Sequence, residues 1–128
     1  MIKMFFFVPV FLAVTGQCLA EGKVLIDGKT VYGHEVGSDK IKNWVEYFDV
    51  NGDGYYKNST EFKKLKWWGE GNKLCEKGPS LSDTSSCELL RINGDVIEVL
   101  DVKTEKVLSV IDKIVDGDAE NLREKWQD

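Results

Sequence analysis

Asp49-Val50-Asn51-Gly52-Asp53-Gly54-Tyr55-Tyr56-Lys57-Asn58-Ser59-Thr60-Glu61-Phe62 is the stretch on which the reading of the fold turns. It sets oxygen-bearing side chains two residues apart and follows them with glycine, the pattern of a chain wrapping a hard cation. Asp49, Asn51 and Asp53 stand at positions one, three and five of such a loop. Gly54 stands at six, where a residue without Cβ lets the backbone reverse, and the Tyr55 carbonyl follows at seven.

The flanks are consistent with helices. Upstream, Ile41, Trp44, Val45 and Phe48 recur at the spacing of one helical face, and Ser38 is placed to cap it. Downstream, Phe62, Leu65 and Trp68 fall three apart among Lys63, Lys64 and Lys66, so an apolar stripe faces inward while the ammonium groups stay wet. Helix, loop and helix from about Ser38 to Gly69 resemble a single hand of the EF-hand calcium-binding family. The resemblance implies a calcium ion held by Asp49, Asn51, Asp53, Tyr55 and Glu61. The pattern departs at its close. Position twelve is Thr60, the gripping carboxylate arrives one residue late as Glu61, and Lys57 at position nine offers no oxygen. Either Thr60 or Glu61 closes the loop, and affinity is expected near the extracellular range, about 10⁻⁴ to 10⁻³ M. The same opening also resembles the calcium repeat of dockerins, which use two repeats. The other candidate here, Asp112, Asp116 and Gly117, has Ile114 and Arg123 where ligands belong.

Location is read from the first twenty residues. Lys3, the apolar run Met4 to Val14 and the ending Cys18-Leu19-Ala20 form a cleavable secretory signal, too short to span a bilayer. The expected mature chain, 21–128, is one small acidic domain of 108 residues with 16 basic and 22 acidic side chains, a formal charge of −6. That charge argues against a nucleic-acid partner, and with the signal removed no membrane association is expected. Cys75 and Cys87 remain, and an even count in an exported protein reads as a disulfide, secreted or periplasmic. It pins the polar, turn-rich segment between them.

Elsewhere the period shifts. Val24 to Ile26 and Lys29 to Tyr32 around Asp27-Gly28 read as an N-terminal β-hairpin, and Leu89 to Ile92 and Val96 to Leu100 around Asn93-Gly94-Asp95 as a second, with Gly94 at positive φ. The run from Lys106 fits either a helix or a third strand, and is read as strand through about Ile111. Asp118 then caps a short helix whose inward face is Leu122 and Trp126. The expected class is α+β: an EF-hand-like helix-loop-helix flanked by an N-terminal hairpin and a C-terminal β-meander with a short terminal helix.

The expected function is a secreted or periplasmic calcium-binding module, the calcium being structural. Trp67 and Trp68 are the candidate surface for a protein, peptide or carbohydrate partner, and the short strand centred on Tyr56 could also pair with a second copy of the chain as a homodimer. The alternatives are a small secreted hydrolase with a structural calcium site and a metal-free interaction protein. Asn58-Ser59-Thr60 is a glycosylation sequon where the pathway is eukaryotic.

Overall fold

Two of the runs read above as helices alternate with period two as well as with the helical period, and the shorter period wins. In Lys42–Phe48, Trp44, Glu46 and Phe48 point one way, with β-branched Val45 and aromatic Tyr47 between them. In Phe62–Glu70, Leu65 and Trp67 point inward between Lys64, Lys66 and Trp68. The computed structural model, which describes residues 25–37, 41–80 and 83–127, makes both of them strands.

Eight strands follow in chain order: β1 (Lys29–Glu35), β2 (Lys42–Phe48), β3 (Asp53–Asn58), β4 (Phe62–Glu70), β5 (Lys73–Lys77), β6 (Ser85–Asn93), β7 (Val96–Asp101) and β8 (Val107–Asp116). Each pairs antiparallel with the next, and β8 returns to β1, closing a barrel that leaves no free edge. A helix, α1 (Leu122–Gln127), ends the chain. The expected α+β class with its EF-hand is thereby overturned: the entering and exiting helices are β2 and β4, and the loop between them is a hairpin turn plus β3. The expected N-terminal hairpin is also replaced, since Leu25 and Ile26 are helical and lead through Asp27-Gly28 into β1. The expected signal segment and the Ser38 cap lie outside the described residues.

Other expectations hold. β6 and β7 form a hairpin turning at Gly94, whose φ is 63°, and the run after Lys106 is strand β8, completing a meander. Asp118 caps α1, its carboxylate oxygens accepting from the Leu122 and Arg123 amides at 2.8 and 2.9 Å. Cys75 and Cys87 are directly opposite on β5 and β6 and are bonded.

One end of the barrel is packed solid. Ile26, Val31, Phe48, Trp67, Leu74, Leu90, Val99 and Ile111 form its core. The rings of Phe48 and Trp67 meet edge to face at 5.2 Å, a geometry adding about 0.5–1.5 kcal/mol beyond area burial. On the outside, α1 lies against β2 and β3, where Leu122 is buried and Trp126 meets Phe62 edge-on at 5.4 Å. The outer face of the barrel also carries charge, including Lys64, Lys66 and the Arg91–Glu98 ion pair at 2.7 Å. This is the inverse of a lipid-facing barrel, whose outer band is apolar. Among the described residues, no helix is long and apolar enough to cross a membrane.

Candidate ligand-binding cavity

Above the packed core the interior is hollow. A cavity of about 410 Å³ opens toward the end where β1 finishes and β8 begins, with Glu35, Val36, Lys106 and Val107 at its lip. Its walls come from inward positions of successive strands: Val31 on β1, Trp44, Glu46 and Phe48 on β2, Tyr56 on β3, Leu74 and Glu76 on β5, Glu88 on β6, Val99 on β7, Ser109 and Ile111 on β8. Most are apolar or aromatic. Three are carboxylic acids, and each occupies a place in a strand where the alternation calls for a core residue.

Glu46 is the deepest, 4 % exposed. Its carboxyl has room because β3 carries Gly54 beside it: a Cβ there would sit 2.8 Å from Glu46 Oε2. The glycine assigned by sequence to a cation-loop turn thus lies inside a strand and admits an acid. Glu46 Oε2 and Glu76 Oε2 are both buried with no hydrogen-bond donor. Burial, then the charge of Glu76 and a shared hydrogen bond with it, push the Glu46 carboxyl well above the usual range, with Lys63 opposing weakly. Glu88 is pushed up to about 7, by burial first and then by Glu76 and Asp101. Near neutral pH Glu46 and Glu88 therefore retain protons that exposed glutamates would have lost.

Two rings complete the wall. Trp44 and Tyr56 stack with centroids 6.2 Å apart, and Trp44 is accommodated because a Cβ on Gly33 of β1 would lie 2.5 Å from its indole. Lys63 holds its ammonium 5.2 Å from the Tyr56 ring centre and 3.6 Å from Glu61.

The residues expected to bind calcium lie elsewhere and apart. Asp49, Asn51 and Asp53 form the β2–β3 turn at the packed end. There Asn51 Oδ1 accepts from the Asp53 amide at 2.9 Å, and the Gly52 amide donates to the Asp49 carbonyl at 3.0 Å. The Trp67 indole donates to that same carbonyl at 2.9 Å. Both carboxylates already have cations: Arg123 is 3.2 Å from Asp49, while Asp53 pairs with Lys66 and has Lys64 at 3.7 Å. The hydrogen bond from Lys66 holds the Asp53 carboxyl below its usual range. Tyr55 is buried in mid-strand on the outer face, stacked on Tyr47. Glu61 follows the far end of β3, six residues of extended chain or roughly 20 Å away. The helix-loop-helix that was to gather these ligands does not exist.

Trp67 and Trp68, the expected partner surface, occupy opposite faces of β4. Trp67 is buried in the core, while Trp68 points outward and donates to Glu70 at 2.7 Å. Among the described residues one set of three His, Cys, Asp or Glu ligand atoms falls within 4.8 Å of one another, namely Glu70, Cys75 and Cys87, and its two sulfurs are joined in the disulfide. That bond is consistent with a protein outside the cytosol.

Sequence reasoning missed Glu46, Glu76, Glu88, Trp44 and Tyr56. A signal was present, in Trp44-x-Glu46-x-Phe48, Leu74-x-Glu76 and Glu88-x-Leu90, where a carboxylate interrupts an apolar row of period two. It is visible once those runs are taken as strands. Comparison with family models, with curated proteins and with solved structures found no match to this chain.

Proposed function

We propose that this protein is an exported binding protein that carries a small ligand within its barrel. The observation that carries the reading is the cavity of about 410 Å³, lined by apolar and aromatic side chains with a few converging polar groups. An eight-stranded barrel is just wide enough to be filled by its own side chains or to hold one small ligand. This one is filled at one end and hollow at the other. Export, secreted or periplasmic, is supported by the disulfide and by the signal-like first twenty residues. In this reading the rings of Trp44 and Tyr56 meet a ligand inside the barrel, a role the sequence had assigned to an outer tryptophan surface.

The test is titration with N-phenyl-naphthylamine, an uncharged apolar dye that brightens on leaving water, followed by its own emission and by energy transfer from tryptophan. Saturable binding at one site is expected. Ser109→Trp, which places an indole in the hollow, is expected to abolish it while leaving the thermal melt cooperative. Absence of saturable binding to the folded wild-type protein, or unaltered binding to the Ser109→Trp variant, refutes the reading.

A further inference from the structure

Resting on the carrier reading, we infer that the ligand is a small organic ammonium ion, an amine with an apolar body, whose charged head is received by Glu46, Glu76 and Glu88 beside the rings of Trp44 and Tyr56.

A cavity for a neutral apolar ligand has no use for three acids, because each buried carboxyl costs free energy unless it is paired. Here the pairing is incomplete. Glu46 is more than nine-tenths buried, and its Oε2, like that of Glu76, has no donor. Glu76 lies beside Glu46, and a carboxylate offers acceptors without a donor. An ammonium head supplies what is missing, up to three N–H donors and a positive charge in a site of low dielectric. Trp44 and Tyr56 add ring faces that attract cations, and the protein already uses one of them, since Lys63 lies over Tyr56.

A metal ion fits less well. Among the described residues, Glu46, Glu76 and Glu88 are not a set whose ligand atoms all lie within 4.8 Å of one another, whereas an ammonium head directs three N–H donors apart. The cavity exceeds the needs of a bare ion, and its apolar wall at Val31, Phe48 and Val99 matches a hydrocarbon or aromatic body.

Uptake is linked to pH. The amine arrives already protonated, so no proton passes to it. The protons held by Glu46 and Glu88 leave to solvent as these carboxylates ionise around the head. The groups facing the cluster are Glu35 from β1, Tyr56 from β3, Lys63 from β4, Asp101 from β7 and Lys106 just before β8. Tyr56 is held neutral by burial, and Lys63 is engaged by Glu61, so the glutamates dominate. Binding should strengthen as pH rises through about 7, where Glu88 ionises, and weaken in acid.

The experiment compares phenethylamine with phenethyl alcohol, equal in shape and differing in charge, by calorimetry on the oxidised protein at about pH 8 and about pH 5. The amine is expected to bind at least roughly tenfold tighter than the alcohol at the higher pH and to lose that advantage at the lower. Near neutral pH, heats measured in buffers of different ionisation enthalpy should show proton release with the amine and none with the alcohol. Glu46→Gln and Glu88→Gln are each expected to weaken the amine more than the alcohol, with a cooperative thermal melt as the check that the barrel is intact. Equal affinity for amine and alcohol at about pH 8 overturns the ammonium assignment and leaves the carrier reading standing, as does full amine affinity in both variants. Failure of amine, alcohol and dye alike overturns both.

Discussion

Glu88 makes the energetic cost of the cavity measurable. Its carboxyl is raised from an ordinary 4.5 to about 7, mainly by burial. At about 1.4 kcal/mol per pH unit, that difference amounts to about 3 kcal/mol. For an acid whose folded value lies above its unfolded value, the folded state binds more protons throughout the interval between them. The contribution is therefore fully present below about 4.5, is lost progressively from there to about 7, and is absent above. The unliganded protein should become less stable across this window by about 3 kcal/mol from Glu88 alone, and by more because Glu46 shifts in the same direction. Asp53, Asp101 and Asp116 are shifted the other way, so their effects fall below the ordinary 3.8 of an aspartate and outside the window. Glu88→Gln removes the titrating proton and should flatten the profile, raising the melting temperature at about pH 8 by roughly 10 °C for a domain of this size. The assay is a set of thermal melts of wild type and variant from about pH 4.5 to about pH 8. Wild-type stability that is constant or rises over that range, or a variant that keeps the full slope, refutes the account of a buried acidic cluster.

Three further outcomes are expected. Gly33→Ala brings a Cβ to 2.5 Å from the Trp44 indole and 2.6 Å from the Val110 carbonyl, and should destabilise by about 1–3 kcal/mol in denaturant unfolding because the Val110 carbonyl belongs to the paired β8 backbone and cannot move aside. Replacing both Cys75 and Cys87 by alanine should cost about 3 kcal/mol, the entropy of a 13-residue loop released in the unfolded chain, read as a lower urea midpoint. Calcium up to about 10 mM, roughly tenfold beyond the weakest extracellular-type affinities, should leave the melting temperature unchanged, because Asp49 and Asp53 are already paired with Arg123, Lys64 and Lys66. A rise in melting temperature that is absent from Asp49→Ala would contradict that.

The local signals in this chain were legible where few alternatives competed. Asn93-Gly94-Asp95 between alternating apolar runs gave the β6–β7 hairpin, since a two-strand turn is decided by residues within about ten positions. Asp118 marked the start of α1 for the same reason, its carboxylate bonding to amides four and five residues on. With Cys18 assigned to the expected signal segment, the other two of the three cysteines left only one pairing. The flanks of the Asp49 turn were misread because Trp44, Val45 and Phe48 satisfy a helical spacing as well as a strand alternation. The residue that would have settled the matter, Glu46, is an acid in an apolar row.

By itself, then, the sequence determined the β6–β7 turn, the cap, the disulfide and the acidic balance of this protein, all set by neighbours in the chain or by simple counting. Tertiary structure decided the rest. Whether residues 42–48 and 62–70 were helix or strand depended on pairing partners supplied by the other strands, and above all on the β1–β8 contact that joins residues more than seventy positions apart. That closure alone brings Glu46, Glu76 and Glu88 from three strands into one hollow, because inward and outward have no meaning for a side chain until the sheet has become a barrel.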